Sequence, residues 1–337
     1  MIHKYAFINA KVKARRSLRL DEDFFQVLQR SRSLQEAVQL FRDTPYQSLC
    51  TIYNESGDIR LVEKELLVLE IDLYGKIKSF LPGDVAHFSE SFFLKYEIDS
   101  LKVALRLWYV QCIREMSISA QLGYFLPVSI AHIIDFKAVI NASSEKQLLS
   151  LLKHTPYYDV LEEGLLSCRQ NQSLFHSEWA LDSFFYRQVL AHLALLERKD
   201  RTSATLVLQQ MIDRQNLLTL LLFRSSKAFP SSMDKCYYLE GGEKLNDELF
   251  LRAYSMNVVD FRELLHKLFP RLSFKSLNQT LPLLFQDMEK DLNHLSSRLA
   301  AGNPFSLGVI LSWYLSGQDE LRKIKRLLND KYYEEGH

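Results

Sequence analysis

Residues 62–80 read VEKELLVLEIDLYGKIKSF, and this stretch decides the fold class. Val62, Leu66, Leu69, Leu73, Ile77 and Phe80 recur at intervals of four, three, four, four and three, with charged residues between them. That spacing lays the apolar side chains along one face of an α-helix and the charges along the other. Pro82-Gly83 then ends the helix, because proline cannot continue it and glycine suits its close.

The rest of the chain agrees. Among 337 residues, 59 are leucine, against 32 valines and isoleucines together. Leucine favours helices and β-branched residues favour strands, so the expectation is an all-α chain. Glycine and proline number 11 and 8, too few for a turn-rich sandwich or barrel. Ser144 to His154 reads as a helix ended by Thr155-Pro156. Asp319 and Glu320 read as the opening of another, with Leu321, Ile324, Leu327 and Leu328 on one face and bases later, as the helix dipole favours.

Two markers recur in the same order. Thr44-Pro45-Tyr46 follows a helix at Leu34 to Phe41, and Thr155-Pro156-Tyr157 follows one at Gln147 to Leu152. Phe269-Pro270-Arg271 keeps only the helix and the proline. After each, Asp99-Ser100-Leu101-Lys102, Gln215-Asn216-Leu217-Leu218 and Asp319-Glu320-Leu321-Arg322 open a Leu-rich helix. The pattern predicts three helical units, residues 1–118, 119–228 and 229–337, each near the usual domain size.

Catalytic signatures are missing. There is no GxxxxGK[ST] or GxGxxG phosphate loop, no HExxH and no GxSxG. Gly241-Gly242 offers a backbone anion nest or a turn entering a helix, and the turn is the stronger reading. His176 and Glu178 read as solvated loop residues, His192 as a hydrogen-bonded histidine, and Glu162-Glu163 beside Gly164 as a helix end. Phe24-Phe25, Phe92-Phe93 and Phe184-Phe185 read as core. Cys50, Cys112, Cys168 and Cys236 are far apart and form no metal-ligand cluster; buried, reduced thiols fit a cytosolic protein. No catalytic residue, cofactor or metal is expected.

Charge and hydropathy set the remaining bounds. Lys+Arg total 42 against 41 Asp+Glu, which lacks the basic excess of a nucleic-acid binder. The N-terminus is basic, from Lys4 to Arg19; a transit peptide is one reading, and a first helix with a solvated basic face is the stronger one. Met116 to Ile134 and Ala300 to Gln318 each run 19 residues without a charge. Their serines, prolines and amides are too polar for a bilayer span, so both read as helices buried in protein or at an interface.

The C-terminal stretch Asn303-Pro304-Phe305-Ser306-Leu307-Gly308-Val309-Ile310-Leu311 runs through Tyr314-Leu315 to Glu320-Leu321-Arg322-Lys323-Ile324. With Tyr5 to Arg15, Asp213-Arg214-Gln215-Asn216-Leu217 and Tyr237-Tyr238-Leu239-Glu240-Gly241-Gly242, it resembles the C subunit of prokaryotic V-type/A-type ATPases, known as the d subunit in eukaryotes. The resemblance implies three homologous helical units arranged as a funnel with pseudo-three-fold symmetry. It implies a non-catalytic member of the central stalk, peripheral on the cytoplasmic face of a membrane. The funnel would receive the central rotor shaft, sit on the membrane rotor ring and pass torque between them, with no homo-oligomer required. ATP hydrolysis and ion passage would belong to other subunits. The rival reading is a helical-repeat adaptor for a soluble protein or RNA partner.

The repeats are unequal. Lys102/Arg106 and Arg322/Arg326 put two cations on one helical face, where the second unit has Leu218 and Leu222. These four cations are the candidate partner-binding residues, set to meet acidic groups on the shaft or ring; the competing reading makes them solvated faces. The missing phosphate loop carries a direct expectation. Calorimetric titration of the purified chain with Mg-ATP should give no binding in the micromolar range, and a micromolar Kd would contradict this reading.

Overall fold

The structure, a computed structural model, describes residues 2–78, 80–81, 83–225, 237–270 and 277–334. Pro82, Cys236, Arg271 and the expected boundary at 228/229 lie outside the described residues. Sixteen α-helices and one π-helical segment, Tyr109–Ile113 after the sixth helix, occur among the described residues, with no strand. In order they are α1 (Ile2–Arg16), α2 (Glu22–Arg30), α3 (Leu34–Gln39), α4 (Gln47–Ser56), α5 (Ile59–Lys78) and α6 (Gly83–Trp108). Then come α7 (Ser119–Leu122), α8 (Phe136–Ile140), α9 (Glu145–Leu151), α10 (Tyr157–Asn171) and α11 (Phe175–Leu195). The last five are α12 (Arg198–Ser225), α13 (Asp247–Ser255), α14 (Val258–Leu268), α15 (Leu277–Ala301) and α16 (Leu307–Glu334). No helix among the described residues is long and apolar enough to cross a membrane.

Short helices come in capped pairs. Asp21 and Ser33 accept the N–H groups of Phe24 and Glu36 to start α2 and α3. Asp135 and Ser144 do the same for α8 and α9, and Asn246 and Asn257 for α13 and α14. Each cap satisfies a donor that the first helical turn would leave orphaned. The two Thr-Pro-Tyr turns that follow share one geometry. Thr44 donates to the Phe41 carbonyl at 2.9 Å and accepts the Tyr46 N–H at 3.1 Å. Thr155 donates to the Leu152 carbonyl at 2.8 Å and accepts the Tyr157 N–H at 3.3 Å.

The chain forms two compact bodies, Met1–Asn9 with Leu193–Ser316, and Ala10–His192 with Gly317–His337. In the second body, Phe25, Leu28, Leu34, Val38, Phe41 and Leu49 pack with Val62 and Leu66 of α5 and with Leu321, Ile324, Leu327 and Leu328 of α16. In the first, Leu217, Leu220 and Leu221 of α12 pack with Phe250, Phe261, Leu265 and Phe269.

Several expectations are corrected. Asp99, Gln215 and Asp319 do not open helices; they lie inside α6, α12 and α16. The polar residues resemble caps in sequence, but Ser100, Asn216 and Glu320 are buried and face neighbouring segments. Residues 116–134 are mostly irregular and exposed, with only the one-turn α7. Their backbone N–H groups bind side chains of α6 instead of forming a helical ladder. The window at 300–318 divides, with a loop to Ser306 and then the buried start of α16. His176 and Glu178 belong to the first turn of α11, not a loop. Cys112 is half-buried, unlike Cys50 and Cys168.

Glu162-Glu163-Gly164 sits in mid-helix, not at a helix end. A Cβ on Gly164 would lie 2.7 Å from the Ser177 hydroxyl and 2.9 Å from its backbone nitrogen, so glycine is what lets α10 approach α11. Gly164→Ala should therefore destabilise the chain by about 1–3 kcal/mol through overpacking. The expected reading is a lower urea midpoint with an unchanged m value; an unshifted midpoint would show that the helices separate freely.

Candidate functional site

Three long helices carry Leu101, Leu217 and Leu321, all buried, and the residue before each binds a neighbouring segment. Ser100 accepts the Val128 N–H at 3.2 Å and faces the Leu126 carbonyl at 3.3 Å. Asn216 brackets Leu239, accepting its N–H and donating to its carbonyl at 2.8 Å each. Glu320 accepts the Leu20 N–H at 2.8 Å and lies 3.6 Å from Arg19.

One turn earlier, a buried carboxylate holds a loop. Glu97, fully buried, accepts the N–H groups of Ile130, Ala131 and His132 at 2.6, 2.9 and 3.0 Å. The His132 ring and the Tyr157 hydroxyl each approach its other oxygen at 2.7 Å. Asp213 accepts the N–H groups of Glu243, Lys244 and Leu245 at 3.0, 3.0 and 3.3 Å. The glycine pair is thus a turn ahead of α13, and the three N–H groups that follow it hold the chain's own carboxylate. Gly241 takes φ 98°, and a Cβ on Gly242 would lie 2.5 Å from the Asp213 carboxylate. On α16 the corresponding residue is Gly317, where a Cβ would meet Leu73 at 2.8 Å, so the acid stands three residues later at Glu320.

The two sequence markers meet here. Tyr157 of one Thr-Pro-Tyr turn donates to Glu97, and Tyr46 of the other hydrogen-bonds Glu320. The electrostatics differ between sites. Burial pushes the Glu97 carboxyl up, but the His132 N–H, the Tyr157 hydroxyl, the Ile130 N–H and the His132 ring together outweigh it. They hold the group below the usual carboxylate range. Burial dominates at Asp213 and at Glu320 and raises both, with backbone N–H groups offsetting only part.

The four candidate cations fall into two settings. Lys102 contacts both oxygens of Asp182 on α11 at 2.8 Å, and Arg106 grips Glu178 with two nitrogens, at 2.5 and 2.9 Å. Both therefore join α6 to α11 within the chain. Arg322 lines a cleft of 460 Å³ between α5 and α16, and Arg326 is exposed beyond it. Leu218 is half-buried and Leu222 is 49% exposed, so the apolar pair of the second unit is not simply core. Sequence reasoning missed Glu97 and Asp182 and read Glu178 as a solvated loop residue; the shared four-residue step of Glu178/Asp182 and Lys102/Arg106 was the available signal. Among the described residues, no group of histidine, cysteine and acidic side chains is arranged to hold a metal.

Residues 8–335 match the model of a family described as ATP synthase (C/AC39) subunit. The A-type ATP synthase C subunit of Methanocaldococcus jannaschii is 24% identical over 97% of this chain and 82% of its own length. The C subunits of the A-type ATP synthases of Thermococcus onnurineus and a Desulfurococcus species are 22% and 25% identical, each over 96% of this chain and 85% of their own length.

Glu97→Gln should cost about 2 kcal/mol or more, since a buried acceptor is lost and donors are left unmet. The folded-state carboxyl titrates below its unfolded value, so its stabilisation is complete above about pH 4.3 and is lost as pH falls through the folded value. Urea melts of wild type and variant should draw together as pH falls below the unfolded value of about 4.3. A constant gap across that range would mean that the loop is not held by the ionised carboxylate.

Proposed function

The chain belongs to the ATP synthase (C/AC39) subunit family, and we propose that it is the non-catalytic central-stalk subunit of a rotary V-type/A-type ATPase. In this reading it is peripheral on the cytoplasmic face of the membrane. It receives the end of the central rotor shaft, rests on the membrane rotor ring and passes torque between them. Three helical units, 1–118, 119–228 and 229–337, form a funnel with pseudo-three-fold symmetry around the shaft. The observation that carries the reading is the family match across residues 8–335, supported by relatives named as C subunits of A-type ATP synthases. The all-helical fold, and segments clasped onto three long helices by buried polar side chains, suit a part that bears load.

Lys102 and Arg106 serve the chain's own geometry, joining α6 to α11. Contact with acidic groups of the shaft or ring then falls to Arg322 and Arg326, where it speeds and orients assembly more than it tightens it.

Two measurements test this. Affinity purification of the tagged chain from detergent-solubilised membranes should recover ATPase subunits; recovery of soluble proteins or RNA without them would overturn the coupler. Arg322→Glu with Arg326→Glu should leave the melt within about 0.5 kcal/mol. It should also weaken partner binding and flatten its salt dependence. Variant binding equal to that of the wild type at both low and high salt would return these arginines to an ordinary solvated face.

A further inference from the structure

The body formed by Ala10–His192 and Gly317–His337 holds a cavity of 240 Å³ bounded by α6, α11 and the loop that Glu97 holds. Three histidines line it, one from each segment: His87 of α6, His132 of the loop and His192 near the end of α11. The rings of His87 and His192 lie 6.4 Å apart between centroids.

The protons of this lining are spent elsewhere. The His192 Nδ1 lies 3.0 Å from the Gln188 carbonyl, and a carbonyl only accepts, so Nδ1 carries the proton. The His132 Nδ1 lies 2.7 Å from the Glu97 carboxylate and is protonated for the same reason. In each neutral ring Nε2 is then a bare lone pair. The buried Ser91 hydroxyl donates to the Phe88 carbonyl at 2.8 Å, which leaves its oxygen as an acceptor. Glu90 adds a carboxylate, which meets Lys78 of α5 at 3.3 Å in a solvent-exposed pair. No lysine or arginine occurs among the described residues that line the cavity, and Leu94, Pro156 and Phe184 make its apolar wall. The titratable groups facing it are thus His87, Glu90, His132 and His192, with Glu97 and Tyr157 behind His132. Among the described residues, histidines and acids are not grouped as metal ligands.

We propose that this cavity binds a primary ammonium carried on an alkyl chain. The Nε2 atoms of His132 and His192, the Ser91 oxygen and the Glu90 carboxylate accept its N–H groups, and the apolar wall packs against its methylenes. An ammonium brings three donors and one positive charge, which match an acceptor-rich lining with a single carboxylate. A phosphate or carboxylate would meet lone pairs there and lose its hydration without return. Protonation of the rings turns each Nε2 into a donor and adds positive charge, so acidification empties the site. The ammonium belongs to a free small amine or to a lysine side chain of a partner, and the choice of probe separates the two.

The test is calorimetric titration of the purified full chain with 1,4-diaminobutane in metal-depleted buffer. Binding should be saturable at about pH 7.5 and at least about tenfold weaker at about pH 5.5, where the amine stays charged and the imidazoles take up protons. His192→Phe should weaken binding about tenfold at an unchanged melt, and Ser91→Ala gives the same readout if His192→Phe does not fold. Tetramethylammonium, with charge but no N–H, and 1,4-butanediol, with donors but no charge, should each bind at least about tenfold more weakly than the diamine. Equal affinity at the two pH values, wild-type affinity in the variants, or either control binding as well as the diamine overturns the proposal. Tighter binding of Nα-acetyl-lysine methylamide than of 1,4-diaminobutane assigns the ammonium to a protein lysine, and the reverse order assigns it to a free amine.

Discussion

A carboxylate buried in the middle of a long helix, accepting consecutive backbone N–H groups from a distant loop, is the constraint on which the rest of the structure depends. A carboxylate removed from water is costly unless its lone pairs are filled. Glu97 answers that with three backbone donors, a tyrosine hydroxyl and a histidine ring. The loop also gains, because N–H groups outside any ladder need acceptors. Long helix and irregular segment therefore define each other's position. The short capped helices α8 and α9, and likewise α13 and α14 after the Asp213 loop, start from points fixed in this way.

The fold class was legible because 3.6-residue periodicity survives in any long amphipathic helix, as between Val62 and Leu73. The Thr-Pro-Tyr turns were legible too, since proline and the threonine hydroxyl act locally. What could not be read was the polar core. Asp99-Ser100, Gln215-Asn216 and Asp319-Glu320 have the composition of helix caps, and only long-range contact shows that Ser100, Asn216 and Glu320 instead bind backbone of other segments. Gly241-Gly242 was legible as a turn leading to a helix, but the carboxylate held by the residues after it, Asp213, lies some thirty residues upstream. The uncharged run from Met116 to Ile134 misled for the same reason: its amides are satisfied by Ser100 and Glu97, which no local window includes.

The cations show how one sequence pattern divides into two physical roles. Lys102/Arg106 and Arg322/Arg326 are alike along the chain, yet their surroundings decide what the charge does. Facing Asp182 and Glu178, the first pair fixes one helix against another. In the second pair, Arg322 lines a cleft beside Leu66, Leu67 and Leu321, and Arg326 is exposed beyond it. On α5, Leu67 stands where α11 has Asp182, and Glu63 is held by Lys325 and Asn329.

The core that unites Phe25, Leu28 and Phe41 with Leu321, Ile324 and Leu328 joins pieces of chain some three hundred residues apart. On a ribosome adding about 5–20 residues per second, the first short helices wait tens of seconds before their partner helix exists. During that time Phe25, Leu28, Leu34 and Phe41 lack the α16 part of the surface that buries them. The loop-closure entropy of so long a separation delays their final packing further. Final packing of α2 to α5 thus awaits α16, the piece whose loss would be felt some three hundred residues away in the sequence.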